Sequence, residues 1–181
     1  MTPKKILNAN ELSIILHRLS YQLIEDHGDF SETVLIGIQP RGILLANRLF
    51  KLLSNNKEFK NVDLGFLDIT FFRDDFRRSE KLLKASTTNL EFSIEDKTVI
   101  LIDDVLFTGR SIRAALNAIQ SYGRPKSIQL LNLIDRRFSR ELPIQPDYCG
   151  IQVDSRLNEK VIVNWQENDG EDSVYLINNK E

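Results

Sequence analysis

With 181 residues, 41% of them hydrophobic and 28% charged, the chain is sized for one globular domain with a real core, which excludes disorder as its default state. A formal net charge of −2 excludes a broadly basic nucleic-acid binder, though not a local basic patch, and no apolar run approaches the roughly 20 residues of a membrane span. The single cysteine, Cys149, excludes an internal disulfide and stands apart from any His or Cys cluster suited to zinc.

The opening stretch, MTPKKILNANELSIILHRL, breaks its apolar residues with Asn, Glu, His and Arg where a secretory signal needs an unbroken core, so a cytoplasmic protein is expected. From about Asn10 to Asp26, the residues Leu12, Ile15, Leu16, Leu19, Leu23 and Ile24 recur at helical spacing, with Asn8 or Asn10 as the N-cap and Gly28 as the stop. TVLIGI (Thr33 to Ile38) is an apolar, β-branched strand, followed by a helix over Gly42 to Leu53. Strands are predicted next over Val62 to Phe72 and Thr98 to Asp103, then a helix over Ser111 to Gly123 and a strand over Ser127 to Asp135. Beyond Asp135 the style changes to prolines and short strand-like pieces, Lys160 to Trp165 and Ser173 to Asn178, which read as a small C-terminal hood or hairpin. Apolar strands alternating with helices give an α/β fold class, a parallel β-sheet flanked by helices, and nothing divides residues 1–181 into two units.

In open parallel sheets, ligands bind beyond the carboxyl ends of the strands. Four polar stretches fall there: GIQPRG after the first of these strands, RDDFRR after the second, DDVLFTGRS after the third and DRRFSR after the last. In TGRS, Gly109 permits a turn closed to other residues, Thr108 and Ser111 supply hydroxyl donors, and the next helix offers free N–H groups, a cradle for phosphate. Asp103 and Asp104 suit a polyol, because a carboxylate accepts hydrogen bonds from two neighbouring hydroxyls such as those of a ribose. VILIDD also fits a strand end with simple capping, or the magnesium-holding strand of P-loop ATPases, although the chain contains no G-x-x-x-x-G-K-[ST] to accompany the latter.

VILIDDVLFTGRS resembles the phosphoribosyl-pyrophosphate (PRPP) motif of type I phosphoribosyltransferases. Together with GIQPRGILLANRL, LDITFFRDD, GRPKSIQLLNLIDR and RELPIQPDYCG, it is similar to the family of bifunctional pyrimidine-operon regulators and uracil phosphoribosyltransferases, PyrR. The resemblance implies that family's fold and the transfer of ribose 5-phosphate from PRPP to uracil, releasing pyrophosphate. It implies catalytic roles for Asp103, Asp104 and Arg41, with the ribose hydroxyls on the two acids and Arg41 facing pyrophosphate. PRPP contacts fall to Gly42, Val105, Leu106, Phe107, Thr108, Gly109, Arg110 and Ser111, and a flexible flap begins at Arg73, Asp74 and Asp75. Asp135, Arg136 and Arg137 would lie over the base. Magnesium is the implied cofactor, held mainly through PRPP rather than by protein ligands.

The sequence departs from the family where Gln39-Pro40 replaces a lysine-threonine pair and where DRRFSRELPI is one residue longer, with Arg137 in place of a glycine. An alternative acceptor is another base. A different class of alternative is an RNA-binding attenuator that senses uridine nucleotides, with weak or no catalysis. Arg18, Arg136, Arg137 and Arg140 are candidate cations for a leader RNA, while Gln145 and Ile151 stand where relatives carry basic residues. A homodimer or larger assembly is implied by the same resemblance, and no membrane partner is expected.

Overall fold

The computed structural model describes residues 3–55, 62–74, 85–156 and 158–178. Its centre is a five-stranded parallel sheet in the order β3-β2-β4-β5-β6, formed by β2 (Thr33–Ile38), β3 (Asp63–Leu67), β4 (Thr98–Leu106), β5 (Ser127–Arg137) and β6 (Tyr148–Asp154). A second, antiparallel sheet joins the two ends of the described chain in the order β1-β8-β7, from β1 (Lys4–Leu7), β7 (Glu159–Asn164) and β8 (Ser173–Asn178). The long helices are α1 (Ala9–His27), α2 (Gly42–Ser54) and α3 (Arg110–Ile119), and a short α4 (Gln166–Asp169) links β7 to β8.

The helical spacing of the first helix is realised with Asn8 as its N-cap. Asn8 Oδ1 accepts the Glu11 N–H at 3.0 Å and the Glu11 carboxylate accepts the Asn8 N–H at 2.8 Å, a capping box that satisfies two otherwise orphaned donors. Leu12, Ile15, Leu16, Leu19 and Leu23 turn inward and share a core with α2 and with Val161, Val163, Trp165 and Val174 of the second sheet and its connection. On the opposite face of the main sheet, Ile112, Ala114, Ala115, Ala118 and Ile119 of α3 pack on Val34, Ile36, Val99 and Leu101. The central strands are thus covered on both sides, as their unbroken apolar runs require.

Four boundaries differ by two residues or more from those the sequence predicts. The strand predicted over Val62 to Phe72 stops at Leu67, because Asp68 Oδ1 accepts from both the N–H (3.0 Å) and the hydroxyl (2.6 Å) of Thr70, and this side-chain turn opens a 3-10 turn at Thr70–Phe72. The strand predicted to end at Asp103 continues to Leu106, paired with β5 through Val105↔Ile134 and Leu106↔Asp135. The helix predicted to reach Gly123 ends at Ile119, where Ser121 and Tyr122 donate three residues back to Ala118 and Ile119. Strand β5 runs two residues past Asp135, to Arg137. Strands β1 and β6 carry no clear signal in the sequence; β6 completes the parallel sheet, and β1 makes the hood a structure of both chain ends.

Candidate active site

Strand β4 carries Asp103 and Asp104 on consecutive residues, and a strand turns consecutive side chains to opposite faces. Asp103 lines a cavity of about 220 Å³ together with Arg73, Asp74 and the segment Val105 to Ile112. Asp104 is only 8% exposed, and Arg41 is the main charge opposing its desolvation. Burial raises the pKa of both acids: Asp103 is pushed well above the usual carboxylate range by desolvation and by the charge of Asp104, and Asp104 is pushed up to about 6. The Asp104 N–H donates to Asp103 Oδ1 at 3.0 Å, and the buried Asn132 side chain donates to the Asp103 carbonyl at 3.1 Å, fixing the peptide between the acids.

The turn that follows is built as its residues suggest. Gly109 has φ +91°, a left-handed conformation that a side chain would strain, and Ile144 Cδ1 stands 3.2 Å from where a Cβ would lie. Helix α3 begins at Arg110, so its first-turn N–H groups have no helical partners. Behind the turn, the Thr108 carbonyl accepts the N–H groups of Glu141 (3.1 Å) and Leu142 (3.2 Å), and Arg140 donates to the Phe107 carbonyl. Arg110 pairs with Glu141 at 2.6 Å and Arg113 with Asp74 at 2.6 Å, which brings the start of the predicted flap to the cavity; Asp75 lies outside the described residues. An anion-sized space faced by helix N–H groups, with a carboxylate beside it, accommodates a phosphorylated polyol.

Arg41 sits at the N-cap of α2 and donates to the Val163 carbonyl at 3.1 Å and to Asp169 Oδ2 at 3.2 Å. Gly42 next to it is buried, and a Cβ there would collide with the Ile102 carbonyl of β4. The close approach of helix to strand therefore requires a glycine at this position.

The residues expected over the base close the end of β5, each with protein partners of its own. Arg136 is 4% exposed; its guanidinium stacks on the Phe107 ring at 3.8 Å and donates to Ser155 Oγ (2.8 Å), the Arg156 carbonyl (3.3 Å) and the Glu159 carbonyl (2.6 Å). A buried guanidinium needs such partners, and once supplied they leave it anchoring the hood instead of reaching outward. Asp135 and Arg137 line a separate cavity of about 530 Å³ with Phe138, Arg140, Cys149 and Gln152, not the cavity of Asp103. Arg137 pairs with Asp154 at 2.6 Å, and Asp135 with Arg140. Two candidate RNA cations also have partners within the protein, although Arg18 is exposed and Arg140 half-buried. Arg18 donates to the carbonyls of Cys149 (3.1 Å) and Gly150, and Arg140 is shared between Asp135 and the Phe107 carbonyl.

Sequence reasoning missed Arg113 and Asp169. Arg113 lies one helical turn after Arg110, a spacing that places both on one face and is open to a sequence reading. Asp169 meets Arg41 across 128 residues, and no local pattern announces it.

Residues 3–167 match the phosphoribosyl transferase domain family. A bifunctional protein PyrR of Microcystis aeruginosa is 45% identical over 179 residues, covering 98% of this chain and 99% of the relative. Proteins of the same name from Chloroflexus aurantiacus and Clostridioides difficile are each 43% identical, over 174 and 172 residues. Among solved structures, a hypoxanthine phosphoribosyltransferase of Staphylococcus aureus aligns with TM-score 0.70 at 21% identity, covering 95% of this chain and 90% of the other, a likeness of fold.

Proposed function

This chain belongs to the phosphoribosyl transferase family, and within it to the bifunctional PyrR proteins, and from that premise we propose that it transfers ribose 5-phosphate from PRPP to uracil. The observation that carries the reading is a single cavity lined by Asp103 and by the Gly109 turn, a carboxylate for ribose hydroxyls next to a cradle for the 5′-phosphate. In the reaction the C1′–oxygen bond to pyrophosphate breaks, the bond from C1′ to N1 of uracil forms, and the N1 proton leaves. Positive charge develops on the ribose ring and negative charge on the departing diphosphate, so positioning and electrostatics do most of the work. Asp103 and Asp104 stabilise the ribosyl cation, Arg41 faces the diphosphate, and the carbonyl and N–H groups of uracil are read by main-chain groups near the end of β5.

Among the described residues no cluster of three or more His, Cys, Asp or Glu side chains is arranged to hold a metal ion. Magnesium would be held mainly through the oxygens of PRPP, with the Asp103 carboxylate beside it in the cavity, since Asp74 is paired with Arg113. When bound, magnesium would neutralise charge on the diphosphate.

The test is incubation with PRPP, magnesium and a panel of free bases, with products resolved by chromatography. Formation of UMP in preference to other nucleotides is expected. The double variant Asp103→Asn, Asp104→Asn should reduce turnover by at least about 10²-fold; full activity in that variant would remove the site assignment.

A second role, regulation through a pyrimidine leader RNA, is the alternative the resemblance raises, and the relatives are named bifunctional. Of the predicted patch Arg136 is buried and Arg140 half-buried, so the exposed candidates are Arg18 and Arg137, each of which also has a partner within the protein. Filter binding against that RNA, with and without UMP, tests this role; light scattering tests the proposed homo-oligomer.

A further inference from the structure

The guanidinium of Arg41 is in contact with one carboxylate, Asp169 on the hood, and its charge also acts on a second, Asp104 in the core. On the core side is Asp104, 8% exposed on a strand paired along both edges, whose ionised form Arg41 favours. On the hood side is Asp169, at the end of α4, its side chain 25% exposed and its Oδ2 at 3.2 Å from Arg41 Nη1. The same Oδ2 accepts the Trp165 N–H at 2.9 Å, which holds the carboxylate in place without a second cation. Any diphosphate that engages Arg41 meets a guanidinium already paired with an anion, Asp169, which lies on a surface helix and is free to yield.

We propose that Asp169 is a positioning residue that competes with diphosphate for Arg41. In the ligand-free chain its carboxylate occupies the guanidinium; on binding, the Asp169–Arg41 pair is exchanged for a pair between Arg41 and a phosphate. The proposal rests on the reading of Arg41 as the cation facing diphosphate. Exchange of one anion for another keeps the guanidinium neutralised throughout, and the Val163 carbonyl at 3.1 Å retains it in either state. Because the pair is partly exposed, its hold is modest, changing the equilibrium by about five-fold at most. Its effect is selective. A ligand with a single phosphate in the Gly109 turn does not reach for Arg41 and is indifferent to Asp169, whereas pyrophosphate and PRPP are not. Asp169 thereby weakens the hold on diphosphate and favours its release after transfer.

The experiment is isothermal titration of the full-length chain with magnesium pyrophosphate and, separately, with UMP, using wild type, Asp169→Asn and Arg41→Met. Asparagine keeps the volume and the acceptor for the Trp165 N–H while removing the charge. Asp169→Asn should bind pyrophosphate about two- to five-fold tighter and UMP within about two-fold of wild type, and in turnover the KM for PRPP should fall without a rise in kcat. If Arg41→Met loses pyrophosphate affinity while Asp169→Asn leaves it unchanged or weaker, the competition is overturned and the reading of Arg41 stands. An equal gain for UMP and pyrophosphate would mean a general charge effect and would also overturn it. If Arg41→Met binds pyrophosphate like wild type, the reading of Arg41 fails, and the proposal with it.

Discussion

Asp104 holds its proton more tightly when folded than when unfolded, since burial lifts its pKa from 3.8 to about 6. Between those values the native state carries more protons than the unfolded chain, so the stability this group contributes is present below about pH 4 and is lost as pH rises through about 6. At neutral pH the ionised acid is therefore a destabilising element retained for its chemistry. Asp104→Asn should raise the unfolding free energy by about 1–3 kcal/mol at about pH 7.5, with the difference shrinking towards about pH 4, while transfer activity falls. Urea unfolding at the two pH values measures this; an unchanged or lower midpoint at the higher pH would show that Asp104 also makes contacts its charge does not describe. Wild-type kcat/KM for PRPP should decline below about pH 6 as the same carboxylate is neutralised.

The Gly109 turn ties an element to its function. Its carbonyls are taken from behind by the segment 140–142, and its left-handed glycine lets the chain pass from strand to helix within a few residues. Gly109→Ala should cost about 1–2 kcal/mol in stability and lower affinity for PRPP by more than about ten-fold, measured by thermal unfolding and by titration. This element was legible in the sequence because a glycine, two hydroxyl residues and a helix start fall within four residues, each with a local reason. The three central strands were legible because burial on both faces writes an unbroken apolar run. β1 was not: KKIL is short and mostly exposed, and it becomes a strand only through β8, over 160 residues away. β6 was hidden by Gly150 and by polar residues of a sheet edge. The extension of β4 through two aspartates was hidden because pairing with β5 overrides the poor strand propensity of Asp. The partners of Arg136 and Arg140 were hidden for a related reason: a sequence shows a cation but not the carbonyls it donates to.

At the scale of the molecule, the hood is fastened to the sheet domain by charge as well as by its apolar face. Arg48 of α2 donates to Glu167 (2.7 and 3.0 Å) and to Asp172 (2.6 and 2.9 Å), and its guanidinium lies 4.6 Å from the centre of the Trp165 ring. Arg48→Met leaves two acids facing one another without their cation and should lower the unfolding free energy by about 1–3 kcal/mol, read by thermal or urea unfolding. Since α4 joins the Arg48 pairs to Asp169, the same variant should also perturb PRPP binding, although Arg48 itself does not line the cavity of Asp103. Wild-type PRPP affinity in a destabilised Arg48→Met protein would show that hood attachment and ligand binding are independent.

Trp165 is the only tryptophan in the chain, and it is fully buried. Its indole lies beneath the Arg48 guanidinium, and its own backbone N–H is held by Asp169. Every ultraviolet photon this protein emits from an indole thus originates at the junction of hood and sheet, one residue's reach from the Arg41 pair. The junction is a built-in optical probe: its emission reads rearrangement at that point in real time, in the unlabelled chain, with no second indole to dilute the signal.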